Sequence, residues 1–376
     1  MGTYDLDLNL IQRIGIDKIQ LSNFALKDID ILKLSQMEQV EIKQSTSQSK
    51  LYKRHMPYTN AGIAKIIVKD NQIFSDLIIG CANDSNGVPI EYIYLTITVS
   101  NAKGYNLENM SYIEYDTYID CVLDYIESEY GIILLNDYMK INSIEINANI
   151  FLEQEFHNYN RVLKLLMSFF NRHLGKLSTY ENFKCKEGTQ AESYKRGNKS
   201  KEIIFYDKTQ QIKDLKIPLA ENLSILRIEL RLKDKKIIKS VFKSNFWKDL
   251  NDKKIVEYFN KEIHTQLSKK FDDWQKTRAK ELKKLIVSFR KESTKNWHHL
   301  LMQDIRNKSE LLAIPYILDI EQVCYSFREL PDPNRNNSRS IKSLLNISIE
   351  NDVYKNNDIN KVFEIFNALE SYSKMI

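Results

Sequence analysis

Alternation of apolar and polar residues marks three strands in the middle of the chain. They are INSIEINANIF at Ile141–Phe151, KEIIFYDKTQQ at residues 201–211 and LSILRIELRLK at Leu223–Lys233. Successive side chains of a strand point to opposite faces of its sheet. Each segment therefore predicts a strand with one apolar face for the core and one polar face.

Further strands are predicted toward the N-terminus. Asp17–Phe24 and the β-branched, aromatic segment Glu91–Val99 each predict a strand. Ala64–Val68 and Ile73–Ile79 predict a hairpin that turns across KDNQ. Together with the central strands they indicate a large antiparallel sheet.

Helical spacing of apolar residues follows two of these strands, at Asp116–Tyr130 and Glu153–Leu174. Two strand-then-helix blocks of similar size suggest a duplicated α+β unit. Beyond Lys243 the pattern becomes helical, at Asn251–Leu267, Phe271–Ser288, Asn296–Leu312 and Ile359–Tyr372. The sequence thus predicts an α+β fold with an antiparallel-sheet domain over residues 1–245 and a helical C-terminal domain over residues 246–376.

Composition supports a globular chain. Of the 376 residues, 43% are hydrophobic, and only 10 are Gly and 6 are Pro, so a sizeable core is expected and a fibrous or disordered chain is not. No apolar run reaches the roughly 20 residues of a membrane helix. The acidic, alternating N-terminus is unlike a signal peptide, so a cytoplasmic location is expected.

Charge is distributed unevenly. The net charge is +5, yet Leu107–Gly131 contains acidic residues and no Lys or Arg, whereas Lys184–Lys213 and Arg227–Arg306 are dense in both. This asymmetry favours a basic side that follows a phosphate backbone. A solvated surface of mixed helices gives the same pattern, so charge alone leaves both interpretations open.

The polar faces of the three central strands supply the candidate chemistry. Their members are Glu145, Asn147, Tyr206, Lys208, Arg227, Glu229 and Arg231. Gathered on one sheet, carboxylates and an amide oxygen are ligands for Mg²⁺ or Mn²⁺, and cations stabilise a phosphoryl group. The Tyr206 phenol is a candidate nucleophile, and the Lys208 ammonium is expected to favour its ionisation. The alternative is a solvent-facing surface, with Tyr206 as one packing tyrosine among 21.

Short motifs in order along the chain resemble a known family. FYDK with the following TQQIKD, and then LRIELRLK, resemble the replication initiators of filamentous phages and related rolling-circle plasmid initiators. SNAKGYNLENM at Ser100–Met110 and INSIEINANI resemble two further landmarks of that family, in the same order. The resemblance spans Tyr58–Trp247.

This resemblance implies a site-specific nickase that initiates rolling-circle replication of a phage or plasmid. The family's tyrosine cuts one DNA strand at the origin and becomes linked to the 5′ phosphate, the free 3′-OH primes synthesis, and the strand is later rejoined. By position, Tyr206 matches the nucleophile, Lys208 the lysine two residues on, and Glu145 and Glu229 the acidic positions of the two strands. We expect Mg²⁺ or Mn²⁺ held by these carboxylates and Asn147, and phosphate contacts from Arg227, Arg231, Lys103 and Lys199.

The chain departs from the family in two places. Ser143-Ile144-Glu145 stands where Arg-Ile-Asp is common, and the His-hydrophobic-His pair of the broader nickase superfamily is absent. The expected core is therefore a nickase fold with a degenerate histidine motif. Because the chain contains no Gly-x4-Gly-Lys-Ser/Thr motif, a separate host helicase is the expected partner for unwinding. The C-terminal helices are candidates for DNA contact or for assembly into a homodimer.

Three alternatives remain open on sequence alone. A non-catalytic origin- or operator-binding protein would grip DNA through the C-terminal helices and the loop Asn334–Lys342. A tyrosine recombinase also forms phosphotyrosine, but the chain has no His-x-x-Arg and the candidate tyrosine lies on a strand. A purely structural protein would leave the polar strand faces to solvent.

Overall fold

A computed structural model describes residues 12–44, 63–83, 86, 89–103, 109–170, 174, 177–181, 191–214, 223–274, 276 and 358–374. Three predicted features lie wholly or mainly outside these residues: the helix Asn296–Leu312, most of Phe271–Ser288 and the loop Asn334–Lys342.

A ten-stranded sheet forms the centre of the described structure. The described strands are β1 (Gly15–Ser22), β2 (Ala25–Ile29), β3 (Val40–Gln44), β4 (Ile63–Val68), β5 (Asp76–Asn83), β6 (Pro89–Thr98), β7 (Ile132–Leu135), β8 (Lys140–Phe151), β9 (Leu177–Glu181), β10 (Ala191–Gly197), β11 (Lys201–Asp207) and β12 (Ile225–Leu232). The spatial order in the sheet is β3-β4-β5-β6-β1-β8-β12-β11-β10-β9, and every neighbouring pair is antiparallel. A separate two-stranded ribbon joins β2 and β7.

The sheet consists of two five-stranded halves with the same connectivity. In the first half the chain begins at the central strand β1, moves to the outer edge at β3, and returns through β4 and β5 to β6, beside β1. In the second half it begins at β8, moves to the edge at β9, and returns through β10 and β11 to β12, beside β8. Antiparallel pairing of β1 with β8 joins the halves. This repeat of topology differs from the predicted duplication of strand-then-helix blocks. The helix at residues 112–130 follows β6, the last strand of the first half, whereas the helix at residues 160–169 follows β8, the first strand of the second half.

Eight α-helices with defined ends accompany the described strands, and residues 261–274 add a π-helical turn and a further helical stretch. The eight α-helices are α1 (Ile31–Leu34), α2 (Val99–Lys103), α3 (Tyr112–Tyr130), α4 (Asn160–Phe169), α5 (Lys208–Asp214), α6 (Lys235–Phe242), α7 (Asp252–Asn260) and α8 (Asp358–Ser373). The longest, α3, begins with a capping box in which Ser111 accepts from the Glu114 amide and Glu114 accepts from the Ser111 amide. It ends at Gly131, whose φ of 64° is left-handed and favours glycine.

The core lies between one face of the sheet and the helices. Ile144 and Ile146 of β8 and Leu230 of β12 are fully buried, as the alternating pattern predicts. Phe205 of β11 meets Phe170, just after α4, edge to face at 5.9 Å between ring centroids. The opposite face of β8, β12 and β11 keeps the polar residues.

Described residues beyond position 245 belong to this same core. The buried Trp247 donates from its indole nitrogen to Asp116 of α3 at 2.7 Å, and Phe259 of α7 joins the same hydrophobic cluster. Tyr372 of α8 donates to the carbonyl of Asn149 on β8. The boundary at residue 245 stays a prediction, since residues 277–357 lie outside the described structure.

The predicted fold class is confirmed: the protein is α+β, with helices packed on a large antiparallel sheet. The helix predicted over Glu153–Leu174 is shorter, because the Glu153 amide bonds the Glu364 carboxylate and a 3-10 turn at Phe156–Tyr159 precedes α4. The predicted last helix matches α8 to within about one residue at each end. No described helix combines the length and apolar character needed to cross a membrane.

Ser111→Ala is expected to lower the free energy of unfolding by about 1 kcal/mol, because it removes the side-chain acceptor that caps α3. Urea denaturation monitored by circular dichroism measures this change. Ser128→Ala is the matched control, since Ser128 is exposed near the other end of α3 and its hydroxyl bonds the Tyr125 carbonyl of the same helix. Equal losses in the two variants would contradict a stabilising role for the cap.

Candidate functional site

The polar residues of three neighbouring strands face the same side of the sheet. In antiparallel pairs, residues directly opposite each other point to one face. The opposite pairs are Glu145 with Arg231, Asn147 with Glu229, Asn149 with Arg227, and Arg227 with Tyr206. The alternating sequence pattern and the strand register together produce this cluster.

Asp17 joins the cluster from β1 through a β-bulge. Ile16 pairs with Ile146 and Lys18 with Glu145, so Asp17 is an extra residue on β1 between two consecutive pairs. A bulge redirects side chains locally and is common beside functional sites. Sequence analysis placed Asp17 in a strand but missed its role.

A signal for this bulge exists in the sequence. In IGIDKIQL the apolar positions advance by two from Ile14 to Ile16 and then by three to Ile19, so the alternation changes phase across Asp17 and Lys18. A strand that keeps both isoleucines in the core must accommodate one additional residue between them.

Three carboxylates converge at the centre of the polar face. One oxygen each from Asp17, Glu145 and Glu229 lies within 4.8 Å of the others. Burial and the adjacent Glu229 raise the pKa of Glu145 to about 8. Burial opposes ionisation of Glu229, but the hydrogen bond from Glu145 and the Arg231 guanidinium hold its pKa below the ordinary value. A protonated Glu145 that donates to an ionised Glu229 relieves repulsion between buried carboxylates.

Asn147 supplies independent support for a ligand at this position. Its side chain is fully buried, and neither its amide oxygen nor its amide nitrogen has a hydrogen-bond partner in the structure. Buried amides without partners are rare because desolvating them costs free energy. Asn147 lies opposite Glu229 on the same face, so its oxygen suits the oxygen-rich coordination of Mg²⁺ or Mn²⁺. The donor set fits such an ion, and the cluster contains no histidine among the described residues.

Arg227 is the buried cation that connects the carboxylates to Tyr206. Its side chain is 0% exposed, and it donates to Asn149 Oδ1 at 2.7 Å and to Asp17 Oδ1 at 3.2 Å. It also hydrogen-bonds the Tyr206 hydroxyl. These contacts fix the position of the phenol relative to the carboxylates.

Arg231 occupies the more exposed side of the cluster. It donates to both carboxylate oxygens of Glu229, at 2.9 and 3.2 Å, and lies 3.5 Å from Glu145. Its side chain is 31% exposed, so its guanidinium is within reach of a bound anion. Of the two predicted phosphate-binding arginines, Arg231 is therefore the accessible one.

The environment of Tyr206 and Lys208 differs from the sequence-based reasoning. Burial raises the pKa of Tyr206 well above its ordinary value, although Arg227 acts to lower it. Burial and then Arg227 lower the pKa of Lys208 to about 6. We expected a Lys208 ammonium to favour the phenolate, but in the metal-free protein Lys208 is mainly uncharged at pH 7 and donates to Gln211 at 2.8 Å.

Of the two predicted phosphate-binding lysines, Lys199 lies apart from the cluster. Lys199 is exposed in the β10–β11 turn, two residues before Lys201, the first residue of β11. Tyr206 lies five residues beyond Lys201 on that strand, or roughly 17 Å away at about 3.3 Å per strand residue. Lys103 ends α2 and lies 3.5 Å from Glu114. The roles of both lysines stay predictions. Asn149, which the sequence analysis did not single out, accepts a hydrogen bond from Arg227.

Comparisons with known proteins identify no family. No protein-family model matches the chain, and no curated protein matches it significantly. Among solved structures, the chain is similar to a rolling circle replication initiator protein from Geobacillus stearothermophilus. The sequence identity is 12%, the TM-score is 0.28, and the match covers 60% of this chain and 76% of that chain. This similarity assigns no residue a role.

Asp17→Asn is expected to weaken Mn²⁺ binding at least about tenfold, because it removes one negative charge from the proposed ligand set. Titration calorimetry or the electron paramagnetic resonance signal of free Mn²⁺ measures the affinity. Asp76→Asn is the control, since Asp76 lies on β5 and accepts from Thr96 in the first half of the sheet. Unchanged Mn²⁺ affinity in Asp17→Asn would place the metal elsewhere.

Lys208→Met is expected to stabilise the protein more at pH 7 than at pH 9. The unfolded lysine keeps its proton up to about pH 10.5, whereas the folded lysine releases it above about pH 6. Unfolding therefore takes up about one proton between these pH values, and the free energy of unfolding rises with pH. The penalty, which is the stability lost by burying Lys208, shrinks accordingly. Removing the amine removes that penalty. Urea denaturation at both pH values measures the free energy of unfolding. The control is Lys213→Met, which replaces an exposed lysine on the same helix. If the free energy of unfolding depends on pH identically in the two variants, Lys208 is not buried and uncharged.

Proposed function

We propose that this protein is a metal-dependent, site-specific single-strand DNA nickase and strand transferase that initiates rolling-circle replication of a phage or plasmid. The observation that supports it best is the placement of Tyr206 beside three clustered carboxylates through the shared partner Arg227. The unpartnered buried Asn147 supports a metal in that cluster. The ordered motifs of the central strands support the DNA substrate.

In the proposed reaction the Tyr206 oxygen attacks a backbone phosphorus of the DNA. The phenol gives up its proton, and a bond forms between the tyrosine oxygen and phosphorus. The bond from phosphorus to the 3′ oxygen breaks, and the departing 3′ oxygen takes up a proton. The products are a 5′-phosphotyrosine and a 3′-OH. Attack of a 3′-OH on the phosphotyrosine reverses these steps and rejoins a strand.

The residues of the chain divide this work. Arg227 orients the phenol, and Arg231 is positioned to contact the non-bridging oxygens of the phosphate. Lys208, two residues beyond Tyr206 along the chain and with a pKa lowered to about 6, is the proposed acceptor of the phenolic proton. Asp17, Glu145, Glu229 and Asn147 would hold Mg²⁺ or Mn²⁺, which supplies Lewis-acid stabilisation of the phosphate charge.

The high pKa of Tyr206 fits such a role. A permanently ionised phenolate buried beside three carboxylates would be unfavourable, and the neutral phenol is stable until a cation and a phosphate are present. Ionisation is thus coupled to the arrival of substrate and metal. The expected partners are origin DNA and a host helicase, and assembly into a homodimer is part of the same proposal.

Tyr206→Phe is expected to abolish covalent attachment to single-stranded DNA while oligonucleotide affinity changes by no more than a few-fold, because the ring stays and one hydroxyl is lost. Wild-type protein is incubated with a single-stranded oligonucleotide library and Mn²⁺, separated under denaturing conditions, and the DNA-linked peptide is mapped. The matched control is Tyr94→Phe, a half-buried tyrosine on β6 in the first half of the sheet.

The outcomes separate the alternatives. A Mn²⁺-dependent adduct on Tyr206 that persists in Tyr94→Phe supports the nickase. An adduct mapped to another tyrosine overturns the assignment of Tyr206. DNA binding by wild-type protein without any adduct favours the non-catalytic origin- or operator-binding protein.

A further inference from the structure

An open pocket of about 330 Å³ adjoins Tyr206 on the side away from the buried core. Its volume is at the low end of the roughly 300–1,000 Å³ that small-molecule sites occupy. Among the described residues, the lining is Ser193 of β10, Ile204, Tyr206 and Asp207 of β11, Gln210 and Gln211 of α5, and Arg231 of β12. Arg231 lines the pocket and also contacts two of the clustered carboxylates.

The lining combines a flat apolar surface with groups that donate and accept hydrogen bonds. Ile204 is buried and apolar, and the Tyr206 ring offers an aromatic face. Gln210, Gln211 and Ser193 each carry both donor and acceptor atoms. Proteins that recognise an unstacked nucleobase use this pairing of an aromatic or apolar contact with hydrogen bonds to the base edge.

The charges of the lining are few and balanced. Arg231 is positive and Asp207 is negative, so the described part of the pocket has no surplus of cations for a polyphosphate. A single neutral base attached to one phosphate fits this balance better than a nucleoside triphosphate or a long acidic peptide.

The location of Arg231 sets where that phosphate would be. Its guanidinium touches Glu229 and Glu145 and also lines the pocket. A phosphate beside Arg231 therefore lies between the carboxylates and the pocket, next to Tyr206. One nucleotide spans this arrangement, with its phosphate at the cluster and its base in the pocket.

We propose that this pocket binds the base of a nucleotide flanking the scissile phosphate, and that Gln210 determines which base is preferred there. The inference rests on the proposed nickase function for its position in the reaction. Gln210 is half-buried in the lining and follows Asp207, whose carboxylate accepts its backbone amide at 3.1 Å and so fixes the turn that presents it. A correctly placed side-chain amide discriminates between bases through paired hydrogen bonds.

The first experiment measures base binding without any cleavage. Wild-type protein is mixed with each of the four deoxynucleoside 5′-monophosphates, and saturation-transfer NMR detects contact with the base protons. We expect one base to bind about tenfold more tightly than the least favoured base, and Gln210→Ala to reduce that ratio to about twofold. Gln36→Ala, an exposed amide beside α1, is expected to leave the ratio unchanged.

A second variant guards against misfolding of the first. Ser193→Phe places a ring in the pocket from β10, and it is expected to remove the base signal while the Mn²⁺ affinity of the carboxylate cluster is retained. Loss of both properties in Ser193→Phe and in Gln210→Ala, with circular dichroism unchanged, would contradict a separate base pocket. Equal binding of all four bases, or no base signal in wild-type protein, would overturn the proposal.

The second experiment connects the pocket to cleavage. The same oligonucleotide library is cut by wild-type and Gln210→Ala protein, and the sequences of the adducts are compared. We expect the base preference to relax at one position flanking the nick and to persist elsewhere. If the protein nicks DNA without base selectivity at that position, the proposed base-binding role of the pocket is wrong and the proposed nickase function stands. If it binds bases selectively but does not nick DNA, the proposed nickase function is wrong and base binding by the pocket stands.

Discussion

The buried guanidinium of Arg227 is the interaction on which the site depends. A charge that is fully removed from water is tolerated only when it is paired and hydrogen-bonded, and removal of one partner leaves the other uncompensated. Arg227 on β12 bonds Asp17 on β1, Asn149 on β8 and Tyr206 on β11, so one side chain fixes the relative positions of four strands on their polar face. The phenol and the carboxylates are consequently placed by the same contact.

The charges around Arg227 form a nearly balanced set. Asp17, Glu145 and Glu229 face Arg227 and Arg231, and the shared proton between Glu145 and Glu229 reduces the excess negative charge. A divalent cation can take the place of that proton, and the oxygen of Asn147 is already buried beside it without a partner. This charge distribution supports the proposed binding of Mg²⁺ together with a phosphodiester.

The repeated topology explains where this site lies. Both halves of the sheet follow the same path, yet the clustered carboxylates and the tyrosine belong to the second half, except for Asp17. Asp17 comes from β1, the first strand of the other half, through the bulge opposite β8. The site therefore requires the junction of the two halves, and an isolated second half would lack one carboxylate and a partner of Arg227.

The sequence by itself determined the strands and which residues share a face, because alternation with a period of two is a local property of a strand. Glu145, Asn147, Tyr206, Arg227, Glu229 and Arg231 were all identifiable in this way, as was the α+β class. Only the tertiary structure decided that β1 lies beside β8, that a bulge turns Asp17 into the cluster, and that Arg227 is buried while Arg231 is accessible. It also decided the protonation of Lys208, since desolvation depends on neighbours distant in the chain. Strand order, register across non-consecutive strands and burial are long-range properties, and no local pattern encodes them.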